Sequence, residues 1–215
     1  MSKPNQVNLG LRLLDDQLID REGNRCGRVD DVEFTGAPGE ETEINALLTG
    51  SASWPSRLPW PLSSLLDEMA TGFSDCIPWS AVEQVSTCVQ LSLGKEDLGL
   101  DTDDGRNVRW KNEPGTDRIQ LTDLLGSKVV DSDGRSLGKV REVRAERVTP
   151  APSEQVNEAW RISGLLLGSQ GLRERIGMTT RERLEGEPWF VPWDRVMKVE
   201  MGTITTSGGA GRASS

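Results

Sequence analysis

What most constrains this chain is that it says the same thing twice. The segment LIDREGNRCGRVDDV at Leu18–Val32 returns without a gap as VVDSDGRSLGKVREV at Val129–Val143, 111 residues later. Asp20 then corresponds to Asp131, Gly23 to Gly134, Gly27 to Gly138, Val29 to Val140 and Val32 to Val143. Two further blocks follow in each copy. INALLTG at Ile44–Gly50 matches ISGLLLG at Ile162–Gly168, an offset of 118, and IPWSAVEQV at Ile77–Val85 matches VPWDRVMKV at Val191–Val199, an offset of 114. The offset changes between blocks, where surface loops tolerate insertions, as in TGAPGEETE after Phe34 and TPAPSEQVNE after Val148. Such self-similarity calls for two copies of one structural unit.

The blocks are written for strands. Asp133-Gly134, and Glu22-Gly23-Asn24 in the first copy, mark tight turns, because glycine supplies the positive φ a hairpin needs. The step from Val29 to Val32, repeated at Val140 to Val143, breaks the period of two and predicts bulges at Asp30-Asp31 and Arg141-Glu142. In the last block Val85, Thr87, Val89 and Leu91, and Val199, Met201 and Thr203, alternate as single strands. Pro78 and Pro192 open those segments, and Ser80 and Asp194 are expected to cap one helical turn before each strand. A short amphipathic helix is expected at Pro61–Ala70, with an arginine-rich counterpart at Gly171–Gly186. The expected fold is all-β: two tandem small antiparallel barrels with short helical insertions.

This pattern is similar to the PRC-barrel family: a strand, D-x-(D/E)-G-x-x-x-G-x-V-x-x-V, a variable loop, a glycine-bounded apolar strand and a closing (I/V)-P-W-x-x-V. The family includes the cytoplasmic domain of the photosynthetic reaction-centre H subunit and the C-terminal domain of the ribosome maturation factor RimM. In its tandem form the chain most resembles actinobacterial members. The resemblance covers residues 9–93 and 119–206, leaving an acidic linker at 94–118 and a tail at 207–215 expected to be disordered. It implies a module that docks onto other macromolecules. The membrane helix of the H subunit and the different N-terminal barrel of the maturation factor have no counterpart here, so neither activity transfers.

Composition narrows the chemistry. The chain has no histidine, which removes Ser-His-Asp and Cys-His nucleophilic systems and His-ligated metals. Cys26, Cys76 and Cys88 lack CxxC spacing and read as reduced core thiols, with no metal site and no cofactor expected. Asp101, Asp103, Asp104 and Gly105 carry part of a calcium loop. Its glycine is misplaced, and Asn112 stands where the bidentate glutamate belongs, so a capped turn is the better reading. No apolar run approaches a membrane span, and the first ten residues lack the apolar core of a secretory signal, so the expectation is cytoplasmic. Interleaved Arg173, Glu174, Arg175, Arg181, Glu182, Arg183 and Glu185 do not make a nucleic-acid patch, and no direct DNA binding is expected.

Candidate contact residues follow from charge and aromatics. Residues 9–93 hold 14 acidic and 5 basic side chains, residues 119–206 hold 13 of each, and equivalent positions invert in sign: Asp30 against Arg141, Glu33 against Arg144. Two readings stand, opposed docking faces or drift of solvated surfaces. The chain has seven tryptophans, no tyrosine and three phenylalanines. Trp79 and Trp193 recur at one repeat position and read as structural, with Pro78 and Pro192, Asp20, Gly23, Gly27, Asp131, Gly134 and Gly138. Trp54, Trp60, Trp110, Trp160 and Trp189 have no repeat partner, and two readings stand for them: interface anchors, or side chains buried across a barrel mouth. The expected function is a non-enzymatic adaptor or assembly protein that binds a protein or ribonucleoprotein and is able to form homo-oligomers. The alternative is a small-molecule or cofactor-binding barrel using carboxylates such as Asp20 and Asp131, although such turn-flanking carboxylates more often satisfy turn amides.

Overall fold

The computed structural model describes residues 6–50, 73–98, 100, 108–110, 118–148, 159–168, 189–200 and 202–212. The helices expected at 61–70 and 171–186, the calcium-like stretch from 101, and Trp54 and Trp60 lie outside them. The described residues are mostly β, in curled sheets. Packing divides the chain into two units. The amino unit is Arg12–Glu33 with Asn45–Thr116; the carboxy unit is Met1–Leu11, Phe34–Ile44 and Asp117–Ser215.

In the amino unit β2 (Gln17–Ile19), β3 (Arg25–Arg28), β7 (Val82–Val85) and β8 (Val89–Leu91) form a sheet in the order β3-β2-β8-β7. In the carboxy unit β11 (Lys128–Asp131), β12 (Ser136–Val148), β15 (Val196–Glu200) and β16 (Thr203–Thr206) run in the order β12-β11-β16-β15. The middle pair is parallel in both, β2 with β8 and β11 with β16, and the outer pairs are antiparallel. The sheets are therefore mixed rather than purely antiparallel. The reason is a hairpin in the last block, where one alternating strand was expected. The chain turns at Ser86–Cys88, where the Ser86 N–H donates to the Cys88 carbonyl, and at Gly202, whose φ is +75°. The second arm of that hairpin comes back alongside β2 in the amino unit and β11 in the carboxy unit.

The remaining strands repeat the same plan. β5 (Glu43–Thr49) pairs with β6 (Phe73–Pro78), which pairs with β9 (Val108–Trp110); β13 (Ala159–Leu167) pairs with β14 (Trp189–Pro192), which pairs with β17 (Gly211–Arg212). The tail thus carries a strand through Arg212, although its composition suggested disorder. Main-chain pairing at a sheet edge requires no side-chain burial, which is all that composition measures. Pro78 and Pro192 close β6 and β14 rather than opening the next segment, and stand at the N-cap of 3-10 turns at Trp79–Ala81 and Trp193–Arg195. These turns begin one residue earlier than expected, so Ser80 and Asp194 lie inside them and do not cap them.

Bulges bend the ladders. In β12 the register skips Arg141 between Val140 and Glu142, at the expected place; in the amino unit strand structure breaks at Val29–Asp30, before β4 (Asp31–Thr35). A second bulge, at Cys26-Gly27 and Leu137-Gly138, uses glycines with φ of +121° and +136°. Neither Val29–Phe34 nor Val140–Ala145 is helical. Leu18, Val29, Val32, Leu47, Ile77 and Val89 are fully buried in the amino unit, as are Val129, Val140, Val143, Leu165, Val191 and Ile204 in the carboxy unit.

Candidate functional site: an arginine–aromatic face

The two hairpin turns are built alike. Asp20 Oδ1 accepts the N–H groups of Glu22 (2.9 Å) and Asn24 (2.7 Å), and Asp131 Oδ1 accepts those of Asp133 (3.0 Å) and Arg135 (2.8 Å). The Gly23 and Gly134 N–H groups donate to the carbonyls of the same aspartates, with φ of +87° and +80°. Asp20 is 4 % exposed, and its Oδ2 also takes the Asn24 side-chain amide (3.1 Å) and the Lys95 N–H (3.4 Å). Desolvation pushes its carboxyl up, but the hydrogen bonds from Asn24, Glu22 and Lys95 outweigh it and hold the group below the usual carboxylate range. Both aspartates are thus engaged in holding their turns. That occupation leaves them poorly placed for proton transfer.

Arginines and aromatics meet on β12–β13–β14. The register sets Arg144 opposite Gly164, Arg147 opposite Trp160 and Leu166 opposite Phe190. The Arg144 guanidinium lies 5.6 Å from the Phe190 ring centroid, and that of Arg147 lies 5.1 Å from Trp160. Gly164 makes room: a Cβ there would overlap the Phe190 ring and the Val191 carbonyl. Next to Phe190, Trp189 is 53 % exposed. Below, Arg161 donates to Glu41 (2.8 Å) and Glu43 (2.9 Å). The Glu43 hydrogen bond raises the Arg161 pKa against an opposing desolvation. A guanidinium stacked on a ring keeps its N–H edge available for a carboxylate or phosphate while its face stays dry.

The structure brings together only some of the candidate contact residues. Arg144 stacks on Phe190, whereas Trp189, the preceding residue of β14, points to the opposite face of the strand. Trp160 lies beneath Arg147, three residues along β12 from Arg144 and so also on that opposite face, and is 8 % exposed. Trp110 lies on β9 opposite Phe73. Arg141 is half-buried at the β12 bulge. In the amino unit Asp30 Oδ2 accepts the Gly50 N–H (2.7 Å), while Glu33 is 2 % exposed and accepts the Asn45 amide (2.9 Å). Trp79 and Trp193 are buried, and the Trp193 indole donates to Thr42 Oγ1 (2.9 Å). Phe190, Arg147 and Arg161 were not singled out from the sequence. Phe190 could have been, since it is one of three phenylalanines and stands immediately before a repeat block, where the first copy has Cys76.

Cys26, Cys76 and Cys88 are free thiols; Cys76 is buried and the other two half-buried. Among the described residues no group of three or more Cys, Asp or Glu side chains is arranged to hold a metal ion, and no helix is long and apolar enough to cross a membrane. No protein-family model matches the chain, and no curated protein matches it.

Proposed function

We propose that this chain is a non-enzymatic, cytoplasmic adaptor or assembly protein of the PRC-barrel type, which binds a protein or ribonucleoprotein partner. The observation that carries the reading is Trp189, a large aromatic 53 % exposed on β14. Exposed tryptophan is typical of interface anchors. The stacked guanidiniums favour an acidic or phosphate-bearing contact on the partner. The ligand-binding alternative draws no support from Asp20 and Asp131, whose carboxylates are engaged by turn amides.

The test is capture from the native host with the full chain and its Trp189→Ala variant, read by quantitative mass spectrometry, followed by titration of the purified captured species. Truncating a central anchor is expected to weaken binding by about 2 kcal/mol or more, roughly thirtyfold, with an unchanged melting temperature. A species bound equally by both proteins would remove this face from the account.

A further inference from the structure

Two pieces of the first repeat are packed in the carboxy unit, among strands of the second. One is the arm Gln6–Leu11. Its strand β1 (Gln6–Asn8) pairs antiparallel with β12, Gln6 opposite Glu146, Val7 opposite Ala145 and Asn8 opposite Arg144. It then enters α1 (Leu9–Leu13), whose N–H groups on Gly10 and Leu11 donate to the Glu142 carboxylate at 2.7 and 3.0 Å. That carboxylate is 3 % exposed, also accepts the Val143 N–H (2.9 Å), and Leu9 beside it is 1 % exposed. The other piece is the tip Phe34–Ile44. Here Thr42 is fully buried, takes the Trp193 indole N–H on its hydroxyl and the Ile162 N–H on its carbonyl, while Glu41 and Glu43 hold Arg161. Arg161 lies opposite Glu43 in the register.

We propose that the second repeat is a receptor for the first, with the arm and the tip as its ligands, and that the covalent connection through 94–118 is not needed to hold them. The recognition is specific in kind. Glu142 reads an extended strand entering a helical turn, accepting two consecutive main-chain N–H groups of its first turn. Thr42 and the Glu41/Glu43 pair read a buried indole and a guanidinium. None of these contacts depends on which chain supplies the arm and tip, so the first repeat of a second copy fits the same receptor. Within one chain, effective concentration favours the internal arrangement.

The experiment uses the full chain with a protease site placed within 111–117, so that β9 stays with β6, and cut after folding. Cut wild-type protein is expected to keep the mass of the intact chain by light scattering. Mixing isotopically heavy and light cut protein should yield hybrid particles at a measurable rate. Glu142→Gln and Thr42→Val should each speed that exchange about tenfold or more, because each removes buried charged or hydroxyl acceptors from arm or tip. Arg21→Gln, which removes an exposed pair with Asp97, should leave it unchanged. Melting of the uncut variants identifies any that fail to fold, and the remaining one decides. Separation of the cut wild type, or exchange no faster in the folded Glu142 and Thr42 variants than in the wild type, would overturn the proposal.

Discussion

Three equivalent positions in the two units show how one backbone plan accommodates different side chains. Where the carboxy unit has Arg144, Gly164 and Phe190, the amino unit has Glu33, Ala46 and Cys76. The frame is the same: Ala46 pairs with Pro78 as Gly164 pairs with Pro192. In one unit a phenyl ring lies over a glycine and supports a guanidinium. In the other, Ala46 and Cys76 pack with Leu48, and Glu33 turns its carboxylate to Asn45. Volume removed at the glycine is returned by the ring, and the sign of the neighbouring charge follows from what it contacts. The inversion from Glu33 to Arg144 thus accompanies a change of contact partner within each unit, an Asn45 amide in one and a phenyl ring in the other.

The sharpest way to break this comparison is Gly164→Ala. Its Cβ would meet a backbone carbonyl as well as the ring, and the carbonyl cannot swing aside, so a loss of about 2–3 kcal/mol is expected in urea unfolding. Adding Phe190→Cys, which recreates the amino unit's pair, should recover part of that loss although it deletes a large side chain. Without any recovery, ring and glycine are not coupled.

The turn aspartates give the next largest contrast. Asp20 and Asp131 hold equivalent pairs of amides, and among the described residues Asp20 alone has further donors, from the Asn24 side chain and Lys95. Asp20→Asn should lower the urea midpoint more than Asp131→Asn. The Asp20 carboxyl titrates below its ordinary range in the folded chain. Its stabilising contribution is therefore fully present above the unfolded pKa of about 4 and is lost as pH falls through the folded value. Between pH 5 and 2, Asp20→Asn should lose less stability than the wild type. Parallel curves would mean the carboxylate carries no linkage.

How much of this was legible in the sequence follows a physical division. Gly23, Gly134, Gly27 and Gly138 could be placed because positive φ is a local demand that glycine alone meets cheaply. The bulge at Arg141 showed as a broken period of two. Glu142 did not show as a helix cap, because its donors on Gly10 and Leu11 lie 132 and 131 residues away in sequence. The hairpin at Ser86–Cys88 was hidden because Val85, Thr87, Val89 and Leu91 alternate through it as one strand would. Half of the candidate site, Phe190 under Arg144 and Trp160 under Arg147, depends on cross-strand register, which no local pattern reports.

A smaller effect separates Asp15 from Gly126, equivalent residues in the left-handed region with φ of +68° and +81°. Glycine fits there without strain, while aspartate fits at some cost. Gly126→Ala should destabilise by about 1 kcal/mol, and Asp15→Gly should stabilise by less than about 1 kcal/mol, since added glycine entropy in the unfolded chain offsets part of the relief. Thermal unfolding of the two variants resolves both signs. A loss from Asp15→Gly would mean the aspartate side chain supports that conformation.

The smallest expected effect bears most directly on the inverted charges. If Arg144 is positive because it stacks on Phe190, the two side chains must be energetically coupled. A double-mutant cycle with Arg144→Gln and Phe190→Leu should then give about 0.5–1 kcal/mol, the range for a partly exposed cation over a ring. Glu33→Gln should be nearly neutral, because a glutamine carbonyl still accepts the Asn45 amide. Charge exchange, Arg144→Glu with Glu33→Arg, should then show no mutual rescue, each change costing what it costs alone. Zero coupling in the first cycle together with rescue in the second would return the inversion to an attraction between surfaces. Coupling without rescue fixes its origin in the packing of each unit, where a ring in one and a cysteine in the other decide which charge its neighbour carries.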